Sequence, residues 1–350
     1  MNTKSSDASD KRDGQALVSI VIPAWNAAGY VGKCLSSVVD QRHKNLEVIL
    51  IDNGSTDDTS HVAQSFGDLL PIQVVRLEKN RGFAGGANTG LDLATGKFVV
   101  MLNSDVELHP DFVTLGLAGF QQSDRVAAVG GTIYDLTATS RLETVQSRGS
   151  YLMPYASVRV YPAASLADGE RMFAPASPAC LLRRSALLQV RLGNGDFFDT
   201  QFSTYAEDID LWLRLMMDGW QTVYVRDCKC WHRGSMAAGG AYRLWHKSPA
   251  LLRVVVRNKY FFMLGTLPWP VLLLDLPFAV LMELMAAVMC VFANPRSLSA
   301  FILSKWDAAR RLRYLRQKRA DILGRATVGA WATYVCIMRE RARAFGGFAR

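Results

Sequence analysis

The 350-residue sequence has no Gly-x-Gly-x-x-Gly turn, no spanning-length apolar run, five histidines and six scattered cysteines. Each shortage removes a class of protein. At "IPAWN" (residues 22–26), after the first β-rich run, no glycine lets a dinucleotide's pyrophosphate approach the next helix, which argues against a nicotinamide or flavin dehydrogenase. Beyond Leu251 the longest uncharged run, residues 260–274, is broken by Pro268 and Pro270, and Asp275 and Glu283 interrupt the apolar stretch that follows it. A spanning helix needs about 20 apolar residues, so the expectation is a proline-kinked amphipathic element lying in a membrane interface. Cys228, Cys230 and His232 make C-x-C-x-H, which is not a usual tetrahedral zinc spacing and lacks a fourth ligand. The first sixteen residues are polar, without the pattern of a secretory leader. Disorder over 1–16 and a reducing, cytoplasmic setting are expected.

Negative charge is scarce only at one end. The formal charge is +9, but from Leu251 onward 16 Lys/Arg stand against 5 Asp/Glu, a balance of +11 that leaves −2 for the first 250 residues. The excess coincides with the most apolar part of the chain and includes "ARRLRYLRQKR". That pairing fits an anionic membrane surface better than nucleic acid, which would bring groove-reading or stacking motifs with it.

The strongest positive signal is alternation. Residues 17–22, 46–51, 72–77 and 98–102 are near-continuous apolar runs, as parallel strands buried on both faces should be. Between them lie helix-length segments opening on Gly, Ser, Thr, Asp or Asn, the chemistry of helix starts. The pattern is βαβαβαβ, an α/β doubly wound sheet with helices on both faces. It divides the chain into three segments: a disordered 1–16, a sheet domain over 17–250, and a basic, hydrophobic helical region over 251–350. Between Pro110 and Val190 the pattern is weaker and mixed.

Polar residues gather where strands end, the edge at which open α/β sheets bind ligands. Asp52 ends the second strand in "IDNGSTDDT", placed to accept from a ribose or a pyrimidine imide, although turn and cap chemistry is the simpler account of the motif taken alone. "EKNRGFAGGANTG" combines Arg81 with glycines that free helix-start N–H groups for an anion. Asn103 and Asp105 close the most hydrophobic strand, "FVVMLNSD", where a carboxylate suits a hard divalent cation. In "YAEDIDLWLR" Glu207, Asp208 and Asp210 crowd one helix start over about Ala206 to Met217. Dipole complementarity accounts for one or two acids. Adjacent carboxylates beside Phe202 and Tyr205 suit a general base.

Together "VSIVIPAWNAAGYVGKCLSSV", "LEVILIDNGSTDDT", "NRGFAGGANTGL", "MLNSDVEL" and "YAEDIDLWLRLMMDGW" resemble the family 2 glycosyltransferases, nearest their rhamnosyltransferase-like branch, over about residues 17 to 262. The resemblance implies the GT-A fold. It places Pro23, Asn26 and Asp52 in a nucleoside pocket, with Arg81, Gly82, Phe83 and Gly85 near the diphosphate or ribose. Asn103 and Asp105 become the donor- and metal-binding Asp-x-Asp-type element, Asp105 and His232 the ligands of manganese or magnesium, Asp208 the base, and Glu207 an acceptor-orienting group. The implied reaction is inverting transfer from a nucleoside-diphosphate sugar, with dTDP-L-rhamnose a candidate. The acceptor would be a glycan or polyprenyl-diphosphate-linked glycan, reached peripherally at the cytoplasmic face of the inner membrane, in envelope or exopolysaccharide synthesis. Two departures stand out: Asn103 replaces the motif's first Asp, and Pro178 sits where relatives usually have Gly.

Overall fold

The computed structural model describes residues 15–137, 139–162, 165–234, 248–292 and 295–346; most of the expected disordered segment 1–16 lies outside them. The chain opens with β1 (Val18–Ala24), α1 (Val31–Val39), β2 (Leu46–Asp52), α2 (Thr59–Gln64), β3 (Ile72–Arg76), α3 (Gly82–Leu93) and β4 (Phe98–Leu102). β1 pairs in parallel with β2 and β4, and β2 with β3. Successive residues of these strands point to opposite faces, and both are covered. Ile20 and Ile22 pack with α1 on one side, while Val21 meets Ala84, Ala87 and Leu91 of α3 on the other. That two-sided burial explains why the runs read as continuous rather than alternating.

The stretch with the weak pattern holds β5 (Val106–Leu108), α4 (Phe112–Gly119), β6 (Val126–Leu136), β7 (Arg141–Ser147), β8 (Ser150–Met153), β9 (Ser157–Val160), β10 (Arg171–Met172), β11 (Ala179–Arg183) and α5 (Arg184–Gln189). The acidic segment follows as α6 (Glu207–Met217), then β12 (Gln221–His232). The sheet runs β10-β12-β6-β11-β4-β1-β2-β3, with β5 on β12 and β7 on β6, while β8 and β9 form a separate hairpin. It is mixed rather than wholly parallel, because β11 runs antiparallel to both β4 and β6. β12 is parallel to β6 and therefore to β4, so β1, β2, β4 and β12 all finish at one edge, where β11 starts.

Five helices complete the described chain: α7 (Pro249–Gly265), α8 (Trp269–Phe292), α9 (Leu298–Arg310), α10 (Leu312–Arg325) and α11 (Ala330–Gly346). Ser248 caps α7 by accepting from the Leu251 N–H, and Pro249 opens it without loss, since a first-turn N–H has no helical partner anyway. These helices are no loose tail. Phe261, Phe262, Leu315 and Ile337 belong to the same buried cluster as Val21 and Leu211. The apolar stretch expected to be short and proline-kinked is α8, a 24-residue helix that carries Pro277 in its interior. Pro268 precedes it and Pro270 falls in its first turn, where proline is tolerated. Asp275 and Glu283 do not interrupt it, because both are engaged with neighbouring helices: Asp275 with Arg341 at 2.7 Å, Glu283 with Lys305 at 2.8 Å.

Candidate active site

The carboxyl edge of the sheet gathers most of the residues singled out in the sequence. Asp105 follows β4, and His232 is the last residue of β12, paired with Val106. His232 Nε2 lies 3.4 Å from Asp105 Oδ2. On the ring's other side Gln146 Oε1 is 2.8 Å from Nδ1, and the Gln146 amide is oriented by donating to Asp135 Oδ1 at 3.1 Å. An amide oxygen only accepts, so Nδ1 carries the hydrogen. In the neutral ring Nε2 then offers a lone pair beside the Asp105 carboxylate, and that pair of acceptors fits a cation held between them. Among the described residues no cluster of three or more His, Cys, Asp or Glu side chains forms a metal site, so such a cation would complete its shell with ligand oxygen and water, as magnesium and manganese commonly do.

Asp208 reaches the same edge from α6. The Ser177 hydroxyl donates to Asp208 Oδ2, and the Ile209 N–H donates to Oδ1 at 2.8 Å. The next residue after Ser177, Pro178, accepts from the Asn103 N–H at 2.9 Å. Two hydrogen bonds through Ser177-Pro178 therefore connect the base candidate to the strand end that carries Asp105. Burial pushes the Asp208 pKa up, against the bonds from Ser177 and Ile209. Glu207 is raised to about 8 by burial and then by the neighbouring Asp208 charge; its Oε2 is buried without a hydrogen-bond partner. Asp210 differs from both. Burial opposes its charge, but Lys318 at 2.7 Å and Arg214 at 2.9 Å outweigh that and hold its pKa down.

The other residues divide by what the fold already asks of them. Asp52 is wholly buried, with its oxygens accepting from the Ser55 N–H and the Ser60 hydroxyl. It folds the turn after β2 rather than presenting a free edge to a nucleoside. Asn26, at φ 49°, accepts from the Thr56 N–H at 2.9 Å, tying the end of β1 to the same turn. Pro23, one residue before the end of β1, lies against Gly86 of α3. Arg81 is exposed, and Phe83 stacks edge-on against Phe198 at 5.9 Å. The glycines of α3 serve packing first. A Cβ on Gly82 would sit 2.5 Å from the Ser203 carbonyl oxygen, and one on Gly85 would meet the Arg81 side chain. Cys228 and Cys230 are buried in the core, Cys228 donating to the Phe112 carbonyl.

Residues 19–191 match the family model described as "Glycosyl transferase family 2". This stretch is a family 2 glycosyltransferase domain. The chain is 38% identical over 113 residues to the Escherichia coli protein named "Chondroitin synthase", covering 32% of this chain and 16% of that one. It is 40% identical over 96 residues to the Bacillus subtilis (strain 168) "Putative teichuronic acid biosynthesis glycosyltransferase TuaG", covering 27% and 38%. The chain thus spans well under half the length of these two relatives. The S. aureus TarS 1-349 structure in complex with UDP-GlcNAc superposes with a TM-score of 0.50 at 17% identity, covering 94% of this chain and 92% of that one. At that identity the likeness is one of fold, the GT-A type.

The fold also contains contacts that no motif announced. Ser177, Gln146 and Lys318 each hold an acid or His232 through a side-chain bond, the first two from segments whose sequence carries no signal and Lys318 from the basic stretch expected to face a membrane surface. Asn258 of α7 donates to the carbonyls of Phe202, Thr204 and Tyr205, and Arg257 to those of Gln201 and Phe202. The clamped loop runs directly into Glu207 and holds Ser203, Tyr205 and Ala206 at positive φ. A local window sees only an Arg-Asn pair in a helix.

Proposed function

We propose that the protein is an inverting, metal-dependent glycosyltransferase that moves a sugar from a nucleoside-diphosphate sugar to a glycan hydroxyl. The observation that carries this reading is the bridge from Asp208 through Ser177 and Pro178 to Asn103, which joins a desolvated carboxylate to the strand end bearing Asp105. Asp208 takes the proton of the acceptor hydroxyl. The oxygen's electron pair forms the new bond to the anomeric carbon, and the bond from that carbon to the diphosphate oxygen breaks on the opposite face. A raised carboxylate pKa suits a base working near neutrality. Glu207, kept protonated by its surroundings up to about pH 8, orients the acceptor. Asp105 and His232 would hold manganese or magnesium, which when bound neutralises charge on the leaving diphosphate. Positioning and electrostatics supply the rest.

The names of the relatives, a chondroitin synthase and a teichuronic acid glycosyltransferase, support a role in envelope or exopolysaccharide synthesis. dTDP-L-rhamnose remains the donor suggested by the sequence resemblance, while TarS, of the same fold, was crystallised with UDP-GlcNAc. All six cysteines are free, which suits a reducing cytoplasm, and a polyprenyl-diphosphate-linked glycan is the acceptor proposed. A thermal-shift screen across nucleotide sugars, with manganese and with chelator, tests the donor class. Stabilisation by one nucleotide sugar that disappears on chelation is expected; indifference to every donor would contradict the proposal.

A further inference from the structure

α8 is long and apolar enough to cross a membrane by length and composition, and little of it is buried. Its side chains divide cleanly. Asp275, Ala279, Glu283, Ala286 and Cys290 follow helical spacing along the face turned to the protein, where Asp275 meets Arg341, Glu283 meets Lys305 and Tyr155, and Ala279 and Cys290 are buried. The opposite face is bare: Leu273, Leu274, Leu281, Leu284, Val288 and Phe292 are each more than half exposed. Neighbouring helices extend it, through Ile302 and Trp306 of α9 and Trp331 and Val335 of α11. A contiguous apolar surface of this extent is unusual on a soluble protein and marks an interaction site.

The packing around α8 argues against a crossing. A single spanning helix leaves its flanks on opposite sides of a bilayer, whereas α8, about 36 Å long at 1.5 Å per residue, is anchored along its length, at Asp275 by Arg341 of α11 and at Glu283 by Lys305 of α9. α7 before it and α9 after it are joined by Arg253–Asp307 at 2.6 Å, and Leu252, Val256 and Phe301 share one cluster. Farther along, Lys318 of α10 bonds Asp199 and Asp210 beneath the acid helix, and Arg341 of α11 bonds the Leu152 carbonyl.

We infer that the outer face of α8, α9 and α11 docks in the plane of one anionic lipid leaflet, without spanning it. Charge and aromatic placement select that occupant. Along the outer stripe of α9, Ile302 and Trp306 give way to Arg310, whose guanidinium lies 5.1 Å from the Trp306 ring centre. Arg296, Arg313, Arg316 and Arg339 are exposed and make no ion pair among the described residues. Trp269 and Trp331, half exposed and edge-to-face at 5.2 Å, add the amphipathic rings favoured at the lipid–water boundary. An apolar face rimmed by arginine and tryptophan matches acyl chains beneath phosphate headgroups. This inference goes beyond the transfer reaction and stands or falls independently of it.

The test is flotation of the full chain with vesicles of phosphatidylglycerol and phosphatidylethanolamine, against phosphatidylcholine alone. At least tenfold more protein should float with the anionic vesicles, and Leu281→Asp combined with Leu284→Asp should cut that fraction at least tenfold with an unchanged melting temperature. No flotation, or a stable dimer whose formation those substitutions abolish, would overturn the lipid assignment. For topology, Leu264→Cys and Arg296→Cys, each in a Cys336→Ser background, are labelled in sealed membrane vesicles with an impermeant maleimide. Both should react from the same side; reaction from opposite sides means a spanning helix and overturns in-plane docking.

Discussion

Glu207 and Asp208 are adjacent carboxyls with different surroundings, and the difference can be measured. Folded Glu207 holds its proton to about pH 8, while the unfolded chain releases it near 4.5. The folded state therefore binds more protons between those values, and stability falls as pH rises through that window. Glu207→Gln should flatten this part of the melting-temperature profile and leave the variant relatively more stable above pH 8; parallel profiles would refute the assignment. Gln146 bonds His232 of the pair proposed to hold the cation. Gln146→Leu should weaken manganese binding, measured with nucleotide present, by about 10–100-fold, and Gln146→Glu, which keeps an acceptor facing Nδ1, should recover most of it. The acids and His232 are legible in the sequence because unusual polarity at strand and helix ends is a local signal. Ser177 and Gln146 are not, since each acts by one contact across 31 or 86 residues of sequence.

At the scale of elements, the loop 199–206 is the part most tightly determined by the fold and least visible in the sequence. α3 abuts it from one side, α7 and α10 hold it from the other. Gly82, at φ 72° with its missing Cβ facing Ser203, tolerates no side chain. Gly82→Ala should destabilise by about 1–3 kcal/mol from backbone conformation alone, with contact strain added, as read by chemical denaturation. Lys318→Met leaves the Asp199 carboxylate buried without its cation and Asp210 with Arg214 alone, and should cost about 3–5 kcal/mol. The four parallel strands are readable from apolar runs alone. α8 is not, because counting charges along the chain cannot tell that Asp275 and Glu283 share one face. A helical projection puts them on a common stripe, but their partners on α9 and α11 emerge only in the fold.

For the whole molecule, the helices after residue 250 complete the first 250 residues rather than trailing from them. Phe261, Leu315 and Ile337 cover the face of the sheet that α3 and α6 leave open. A chain ending at residue 250 should expose that surface and fail to give a monomeric, cooperatively unfolding protein by size exclusion and calorimetry. The same helices join the exposed apolar face proposed to dock on lipid to the clamp behind the acid loop. Asp208→Asn tests the central claim most directly, with donor affinity and transfer rate measured on the same preparation. Nucleotide-sugar affinity should stay within about twofold while transfer falls by about 10²–10⁴-fold, the usual contribution of a general base. Equal loss of binding and transfer, or retained transfer, would contradict the account.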